Sequence, residues 1–423
     1  MRKRILFITT RLFWPADSGR KVVLYNYCKG LHDQLGYDVY LYSFLEGDQT
    51  VDDALEFPNF IKDVRLAAPI APGTKLLNLI HHLFNGDESF QSALFWSDLN
   101  VSAIRAYCEE IEPSFVLIDM IRLAPYICAL EGLGIPCVLD YDDLLSKRYE
   151  RQIGCKSGNI LGKYSVQASG FFDSLVSSNV IKNLILSIES NRIKRAEYKY
   201  ALKGDAVLFV SPLEAAELND ILGIKKCFSA TIGADVIESD YMENNKEFDF
   251  GFVGNMHTAA NQASLEFICD KVLPLISGCS LRVIGVCPSS VSERYSGNRS
   301  ISFSGSVDSI SDELLKCKVL LAPFAYGTGI KTKVLEAMGM GIPVITNSIG
   351  IEGMTCTPGV EIEVSETPYE LANLGSKLLE SPELRASIGI SARQYVRVNH
   401  DWHKSIESLG NCLDYAGSSL SGD

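Results

Sequence analysis

Short apolar runs alternate with segments of helical period along most of the chain, the pattern of a parallel α/β protein. In the first half this pattern predicts strands at Ile5–Thr9, Val39–Ser43, Phe115–Ile118, Pro136–Asp140 and Val207–Ser211. Between the first two, Val23, Leu24, Tyr27, Cys28 and Leu31 recur at helical spacing and predict one apolar helix face. The stretch from Gly233 to Glu247 reads as a linker, with a polar run at Glu243, Asn244, Asn245 and Lys246. The alternation then restarts, with strands expected at Phe248–Val253, Leu281–Val286, Ile301–Phe303, Val319–Ala322, Pro343–Thr346 and Glu361–Val364. Two successive α/β units of similar size predict two Rossmann-like lobes with a ligand cleft between them. The expected division is residues 1–235, residues 236–390, and a last helix, Ser391 to Ala416, which crosses back before a tail ending at residue 423.

The segment from Arg151 to Lys203 breaks the alternation. It is helical in pattern, with Phe171, Phe172, Leu175 and Val176 running into Arg192, Lys194, Arg195, Lys199 and Lys203. It reads either as a helical insertion packed on the first lobe or as a surface that touches an anionic membrane.

Composition narrows the function. A formal charge of −13 argues against a general nucleic-acid binder, while leaving room for a local basic pocket. Twelve cysteines are scattered with no C-x-x-C pair, which suits free thiols in a reducing compartment and predicts a cytoplasmic protein. The start MRKRILFITT resembles a signal peptide only in its basic residues; the apolar run Ile5 to Ile8 is too short and reads as a first buried strand. No run reaches the roughly 18 uncharged apolar residues that a membrane span needs.

The chemistry concentrates between Leu321 and Gly353. Gly327 and Gly329 precede a helix expected to begin near Ile330, an arrangement that exposes backbone N–H groups to an anion. Lys331 and Lys333 fall in the first turn, where cations are unfavourable unless a phosphate neutralises them. Glu336 lies about a turn further on, placed to accept hydrogen bonds from sugar hydroxyls.

The run VLEAMGMGIPVI, Val334 to Ile345, resembles the C-lobe signature of the GT-B superfamily and, within it, of glycosyltransferase family 4, the group 1 transferases. The resemblance implies that Glu336 binds the nucleotide ribose and that Gly327, Thr328, Gly329 and Lys331 or Lys333 face the diphosphate. DFGFVGNM, Asp249 to Met256, is similar to the first C-lobe strand and its phosphate-side turn, which makes Gly254 and Asn255 donor-binding candidates. His257 lies just past them, as a contact to donor phosphate or sugar or as an ordinary surface residue. ISFSGSV, Ile301 to Val307, is similar to the segment whose backbone meets the base, bringing in Gly305 and Val307. The stretch from Thr9 to Leu31 resembles the glycine loop lining the acceptor side, with Gly19 and Arg20 as candidates. Arg20 reads either as a solvated helix-start charge or as a contact to an anionic acceptor or the diphosphate.

Two departures stand out. Many members carry a first Glu eight positions before the second; here that position is Thr328, a replacement shared by a subgroup with GTGIKTKVLE-like sequences. The basic pair often found after the first C-lobe strand is replaced by Asn255 and Ala260, and Lys331 and Lys333 are expected to take over its phosphate role.

Three further signals stay open. Asp140-Tyr141-Asp142 matches the D-x-D metal motif of GT-A transferases but sits in the lobe without the nucleotide signature, so metal binding, a structural role and an acceptor-side role for Asp142 all remain. Asp119 stands where many relatives place a His, a candidate catalytic contact beside Lys331 and Lys333 or a structural residue. The His81-His82 pair and His400 with His403 lack a matching ligand cluster and read as surface or packing residues.

The fold expected is α/β GT-B. The function implied is transfer of a sugar from a nucleotide-diphosphate sugar to a hydroxyl of a glycan or lipid-linked acceptor, with retention, without metal or other cofactor, in polysaccharide or glycolipid assembly. The alternatives are a sugar-nucleotide epimerase or hydrolase of the same fold, and a non-catalytic nucleotide-sugar-binding scaffold, which Thr328 keeps open. The expected location is the cytoplasm, with the inner membrane face as a peripheral site.

Overall fold

The computed structural model describes residues 2–16, 19–47, 49–85, 88–153, 179–237, 246–327 and 329–419. The chain divides into two compact units, Met1–Thr231 with Trp402–Asp423, and Ile232–Asp401.

The first unit is built on seven parallel strands: β1 (Arg4–Thr9), β2 (Asp38–Ser43), β3 (Ile61–Leu66), β4 (Phe115–Asp119), β5 (Cys137–Asp142), β6 (Ala206–Phe209) and β7 (Cys227–Ser229). Their order is β3-β2-β1-β4-β5-β6-β7. The central strands are buried on both faces, so β1 and β4 read as unbroken apolar runs. Ile5 pairs with Val39 on one side and Phe115 on the other. Strand order therefore reverses between β1 and β4, whose carboxyl ends lead into Thr10 and Met120.

The second unit repeats this plan with β8 (Phe248–Val253), β9 (Leu281–Ile284), β10 (Ile301–Phe303), β11 (Cys317–Leu321), β12 (Val344–Thr346) and β13 (Glu363–Val364), in the order β10-β9-β8-β11-β12-β13. Here the reversal falls between β8 and β11. Two doubly wound parallel sheets match the two Rossmann-like lobes expected from the sequence.

The sequence pattern misses β3 and β7, and both are edge strands. An edge has one face and one side in solvent, so β3, IKDVRL, carries polar residues that hide its period. The helix expected over Ser391 to Ala416 is two helices, Pro382–Asn399 and Trp402–Ser419. The break is pinned by His400, which is buried and sets its Nδ1 2.9 Å from the Ile232 carbonyl and its Nε2 3.3 Å from the Tyr395 hydroxyl. The second helix packs on the first unit, where a Cβ on Gly30 would overlap Ile406.

Of the expected insertion, the helix Asn179–Lys203 is described, while Phe171, Phe172, Leu175 and Val176 lie outside the described residues. Ile193, Ala196, Tyr200 and Ala201 bury into the first unit's core. Buried Glu189 accepts from the backbone N–H groups of Phe90 (2.8 Å) and Gln91 (3.0 Å), capping the helix Phe90–Phe95.

The turn from helix Thr332–Gly339 into β12 depends on Gly341, held at φ 73° with Arg393 packed where a Cβ would stand. Gly341→Ala is expected to lower stability by about 1–2 kcal/mol, since a side chain in left-handed backbone is strained. Urea denaturation reads this directly, and an unchanged midpoint would contradict the turn.

Candidate functional site

Beyond β8, the chain turns through Gly254 to Thr258 into the helix Ala259–Phe267. Asn255 organises this turn. Its Oδ1 accepts from the His257 N–H (2.9 Å), and its carbonyl accepts from Thr258 Oγ1 (3.0 Å) and Asn261 Nδ2 (2.9 Å). The Gly254 N–H donates to the Ile284 carbonyl at 2.9 Å. The Gly254 carbonyl packs against Gly285, at φ 121°, where a Cβ would overlap it. Gly285 in turn bridges to Gly305, at φ 70°. Bare backbone from three glycines is thus gathered beyond the carboxyl ends of β8, β9 and β10. Val307 is half-buried two residues on, and Asn255 and His257 are exposed.

Beyond β11, Asn347 clamps Phe324, accepting from its N–H (3.1 Å) and donating to its carbonyl (2.8 Å). The loop then passes through Gly327, at φ 153°, and Gly329, at φ 69°; Thr328 lies outside the described residues. The helix starts at Thr332 rather than Ile330, because Lys331 is an extended N-cap residue. Its side chain makes no cap hydrogen bond, so the first-turn N–H groups gain no partner from it.

The two lysines go to different places. Lys331 Nζ donates to the Gly329 carbonyl (2.6 Å) and lies 3.9 Å from Glu352 Oε2. Lys333 Nζ reaches across the strand reversal to the end of β8, donating to the Val253 carbonyl (2.8 Å) and Asn261 Oδ1 (3.1 Å). The rings of Phe324 and Phe252 lie 5.2 Å and 5.6 Å from it. Burial pushes the Lys333 ammonium down to about 8; the charge of Lys331 adds to the effect and Glu336 opposes it. Glu336 is pushed up by burial and by Asp235, against the pull of Lys333.

The first unit holds a second charged cluster at its own strand reversal. Gly19 opens the helix Gly19–Asp33, and Arg20 turns inward from it. The Arg20 guanidinium donates to Asp119 Oδ1 (2.6 and 3.0 Å), Asp140 Oδ2 (2.7 Å) and Asp142 Oδ1 (3.0 Å). Asp119 Oδ2 accepts from Thr10 N (3.1 Å) and Oγ1 (2.7 Å), and the side chain has no exposed surface. Burial alone would raise Asp119, but the Arg20 charge outweighs it and holds the carboxyl below the usual range. For Asp140 burial wins, aided by Asp119 and Asp142, and the carboxyl rises to about 6. Asp142 is raised too, mainly by burial. Met120 (φ 64°) and Asp142 (φ 66°) hold left-handed backbone beside this cluster, a strained conformation for non-glycine residues. Both carboxylates of the D-x-D pattern have Arg20 as their ion partner.

Sequence reasoning missed Asn261, Phe252 and Phe324, which surround Lys333, and Gly285, which receives Gly254. Asn261, Phe252 and Gly285 carry no local signal, since each acts on a residue far along the chain. His81 is exposed, and His82 lines a cavity of about 390 Å³ with Glu88, Trp96 and Tyr200.

Residues 247–381 match the family model described as Glycosyl transferases group 1. The chain has the GT-B fold, and residues 247–381 are similar to a group 1 glycosyltransferase domain. Among curated relatives, Glycosyltransferase 1 domain-containing protein 1 of Xenopus tropicalis is 28% identical over 89 residues, which is 21% of this chain and 26% of that protein. The match thus spans about a quarter of the relative's length. The sucrose-phosphate synthase structure from Thermosynechococcus elongatus aligns with a TM-score of 0.70 at 15% identity, covering 99% of this chain and 100% of the other. Anabaena HepE in complex with UDP and glucose aligns at 0.64 and 15% identity, over 98% and 100%. An S. aureus TarM mutant in complex with Fondaparinux, alpha-GlcNAc-glycerol and UDP aligns at 0.64 and 9% identity, over 97% and 100%. At such identities these structural likenesses show the fold of the GT-B chain. Among the described residues no helix is long and apolar enough to cross a membrane.

The Arg20 cluster generates a stability prediction. Arg20→Met leaves buried carboxylates without their counter-charge and is expected to cost about 3–5 kcal/mol near neutral pH. Their folded-state pKa values then lie above the unfolded ones, so the folded form binds protons more tightly and stability falls as pH rises through that window. The deficit should shrink on acidification. Urea titrations at several pH values test this, and a pH-independent deficit would count against the charge cluster.

Proposed function

We propose that this protein transfers a sugar from a nucleotide-diphosphate sugar to a hydroxyl group, and that the second unit binds the donor. The observation that carries this reading is Lys333: a half-buried ammonium between two neutral acceptors, where strand order reverses. A bound diphosphate supplies the negative charge this position lacks. The group 1 domain agrees with the reading. So do the ligands named for similar folds, UDP with glucose for HepE and UDP for TarM.

Residue roles follow. Lys333 faces the diphosphate, taking the place of the basic pair absent at Asn255 and Ala260. Gly254, Gly305, Gly327 and Gly329 let donor approach backbone, with Asn255, His257 and Val307 bordering it. Glu336 receives the ribose hydroxyls. Lys331 secures the loop through Gly329 and Glu352. The first unit is assigned the acceptor, and in it Gly19 opens the helix from which Arg20 reaches Asp119 and Asp142. The acceptor is a glycan or lipid-linked hydroxyl, in polysaccharide or glycolipid assembly.

In the reaction the acceptor oxygen bonds to the anomeric carbon while the bond to the diphosphate oxygen breaks, with retention. The hydroxyl proton passes to the departing diphosphate. Negative charge grows on that leaving group, and Lys333 with the first-turn N–H groups of helix Thr332–Gly339 stabilises it. Protein groups carry this role, so no metal or further cofactor enters the mechanism.

Lys333→Ala is expected to lower kcat on the order of 100-fold, as loss of an oxyanion donor does. Lys331→Ala should leave kcat nearly unchanged. Glu336→Ala removes a charge-assisted hydrogen bond of roughly 1.5–3 kcal/mol and should weaken donor affinity about ten- to hundredfold. Mass-spectrometric detection of free nucleotide across a panel of nucleotide sugars, with and without acceptors, provides the assay. EDTA should not change the rate; strict Mg²⁺ dependence abolished by Asp140→Ala would overturn the mechanism. If all three helix substitutions leave donor binding and turnover intact, the donor site is misplaced.

The pH dependence has a definite sign. Free Lys333 loses its proton near pH 8, while bound diphosphate keeps it protonated to higher pH. Donor affinity should therefore fall about tenfold per pH unit above that point in wild type but not in Lys333→Ala. Calorimetry across this range reads the difference, together with proton uptake on binding.

A further inference from the structure

The cavity of about 390 Å³ in the first unit has no part in the reading above. Its lining comes from the helices Pro72–Asn85 and Asn179–Lys203, the helical segment Ile121–Leu130 and the chain around Trp96. That volume falls among those of small-ligand sites. None of its lining residues belongs to the Arg20 cluster, and Ile121–Leu130 leads away from the strand reversal toward β5.

Trp96 is held on this wall from several sides. The Tyr126 ring stacks on the indole, with 5.4 Å between centroids and 28° between planes. The Tyr126 hydroxyl donates to the Phe95 carbonyl (2.5 Å) and accepts from the Ser97 N–H (3.1 Å), gripping the chain on either side of Trp96. Asn78 Nδ2 donates to the carbonyls of Trp96 and Ala93 (both 3.0 Å). Yet the side chain is only half-buried, and its N–H makes no hydrogen bond among the described residues. A core indole is covered and its N–H is partnered. One that is fixed in place and left open is organised in advance for a ligand.

Glu88 stands on the same wall. Its Oε1 accepts from Lys199 Nζ (2.5 Å) and the Tyr200 hydroxyl (2.6 Å). Its Oε2 is withdrawn from water and has no hydrogen-bond partner. An orphan carboxylate oxygen is costly, and a ligand hydroxyl is the kind of donor it lacks. Three other ligand classes fit badly. An acyl chain sets hydrocarbon against Glu88 and Lys203. A phosphate ester meets the Glu88 carboxylate. For a metal ion, no suitable group of His, Cys, Asp or Glu exists among the described residues.

We infer that this cavity is a carbohydrate subsite, which takes a neutral saccharide with its C–H face on Trp96 and a hydroxyl on Glu88. A pyranose has an apolar face and a rim of hydroxyls that both donate and accept, which suits this mixed lining. The subsite anchors a glycan on the first unit away from the strand reversal. It rests on the cavity and not on the glycosyl-transfer reading, so either can fail without the other.

Saturation-transfer difference NMR on the full chain, with maltose, cellobiose, lactose and di-N-acetylchitobiose at millimolar concentration, tests this. Saturable transfer to the ring protons of at least one of these sugars is expected. Trp96→Ala should weaken that binding by at least about tenfold through lost apolar contact. Trp96→Phe keeps a ring and should fall between Trp96→Ala and wild type. Glu88→Gln keeps the shape but not the charge and should weaken binding about fivefold. Lys333→Ala should bind as wild type does, which separates this subsite from the donor site. Circular-dichroism melting accompanies each variant; where Trp96→Ala melts early, Trp96→Phe and Glu88→Gln carry the test. No transfer to any of these sugars, or transfer that the Trp96 and Glu88 variants leave unchanged, overturns the inference. So does binding that Lys333→Ala abolishes, which would put the sugar in the second unit.

Discussion

An ammonium partly withdrawn from water and bonded to a carbonyl and an amide oxygen is held at an electrostatic cost. That is the position of Lys333, and much of the second unit is arranged around it. The reversal of strand order separates the connections leaving β8 and β11, which opens room for the side chain between Val253 and the helix Thr332–Gly339. Asn261 stands ready because the Asn255 turn fixes the start of its helix. Phe252 and Phe324 limit water around the amine, which is why burial leads the causes of its lowered pKa. The meeting of Gly254, Gly285 and Gly305 leaves backbone uncovered on the same end of the sheet.

The first unit has the same topology and the opposite electrostatic solution. Its reversal point is filled by Arg20, with every nitrogen of the guanidinium that bears a proton engaged by Asp119, Asp140 or Asp142. Burial, aided by carboxylates that outnumber the cation, lifts Asp140 to about 6. A guanidinium committed in this way has little capacity for a phosphate, and surrounding acid would repel one. The two reversal points therefore differ: one is charge-saturated, with left-handed Met120 and Asp142 beside it, and the other holds a lysine bonded to neutral oxygens.

Legibility in the sequence followed burial and distance along the chain. Strands buried on both faces, such as Ile5–Thr9 and Phe248–Val253, announce themselves as apolar runs. β3 and β7 do not, because an edge strand shares its polarity with loops. The final break at His400 was hidden for another reason: the histidine ends one helix through contacts with Ile232 and Tyr395, of which Ile232 is remote in sequence. At the site, Gly327, Gly329, Lys331, Lys333 and Glu336 lie in one continuous stretch, so their spacing on a helix start was readable. Which lysine turns to the strand reversal was not, since that depends on Asn261 and Val253. The D-x-D pattern shows the converse, a local motif whose meaning is set by Arg20 from a distant helix.

The choice of lysine rather than arginine at position 333 bears on whether the site only binds or also drives reaction. A scaffold needs a fixed cation, and arginine supplies one at any physiological pH. A lysine lowered to about 8 is instead poised so that its proton affinity follows the charge before it. As a glycosidic bond to diphosphate breaks, negative charge on the leaving group increases, and the same ammonium becomes a stronger partner at that moment. Only interactions that strengthen between ground and transition state accelerate a chemical step. Glu336 facing a ribose gains nothing along that path, so on the proposed reading the two helix residues have separate tasks: Glu336 holds the donor, and Lys333 favours its cleavage.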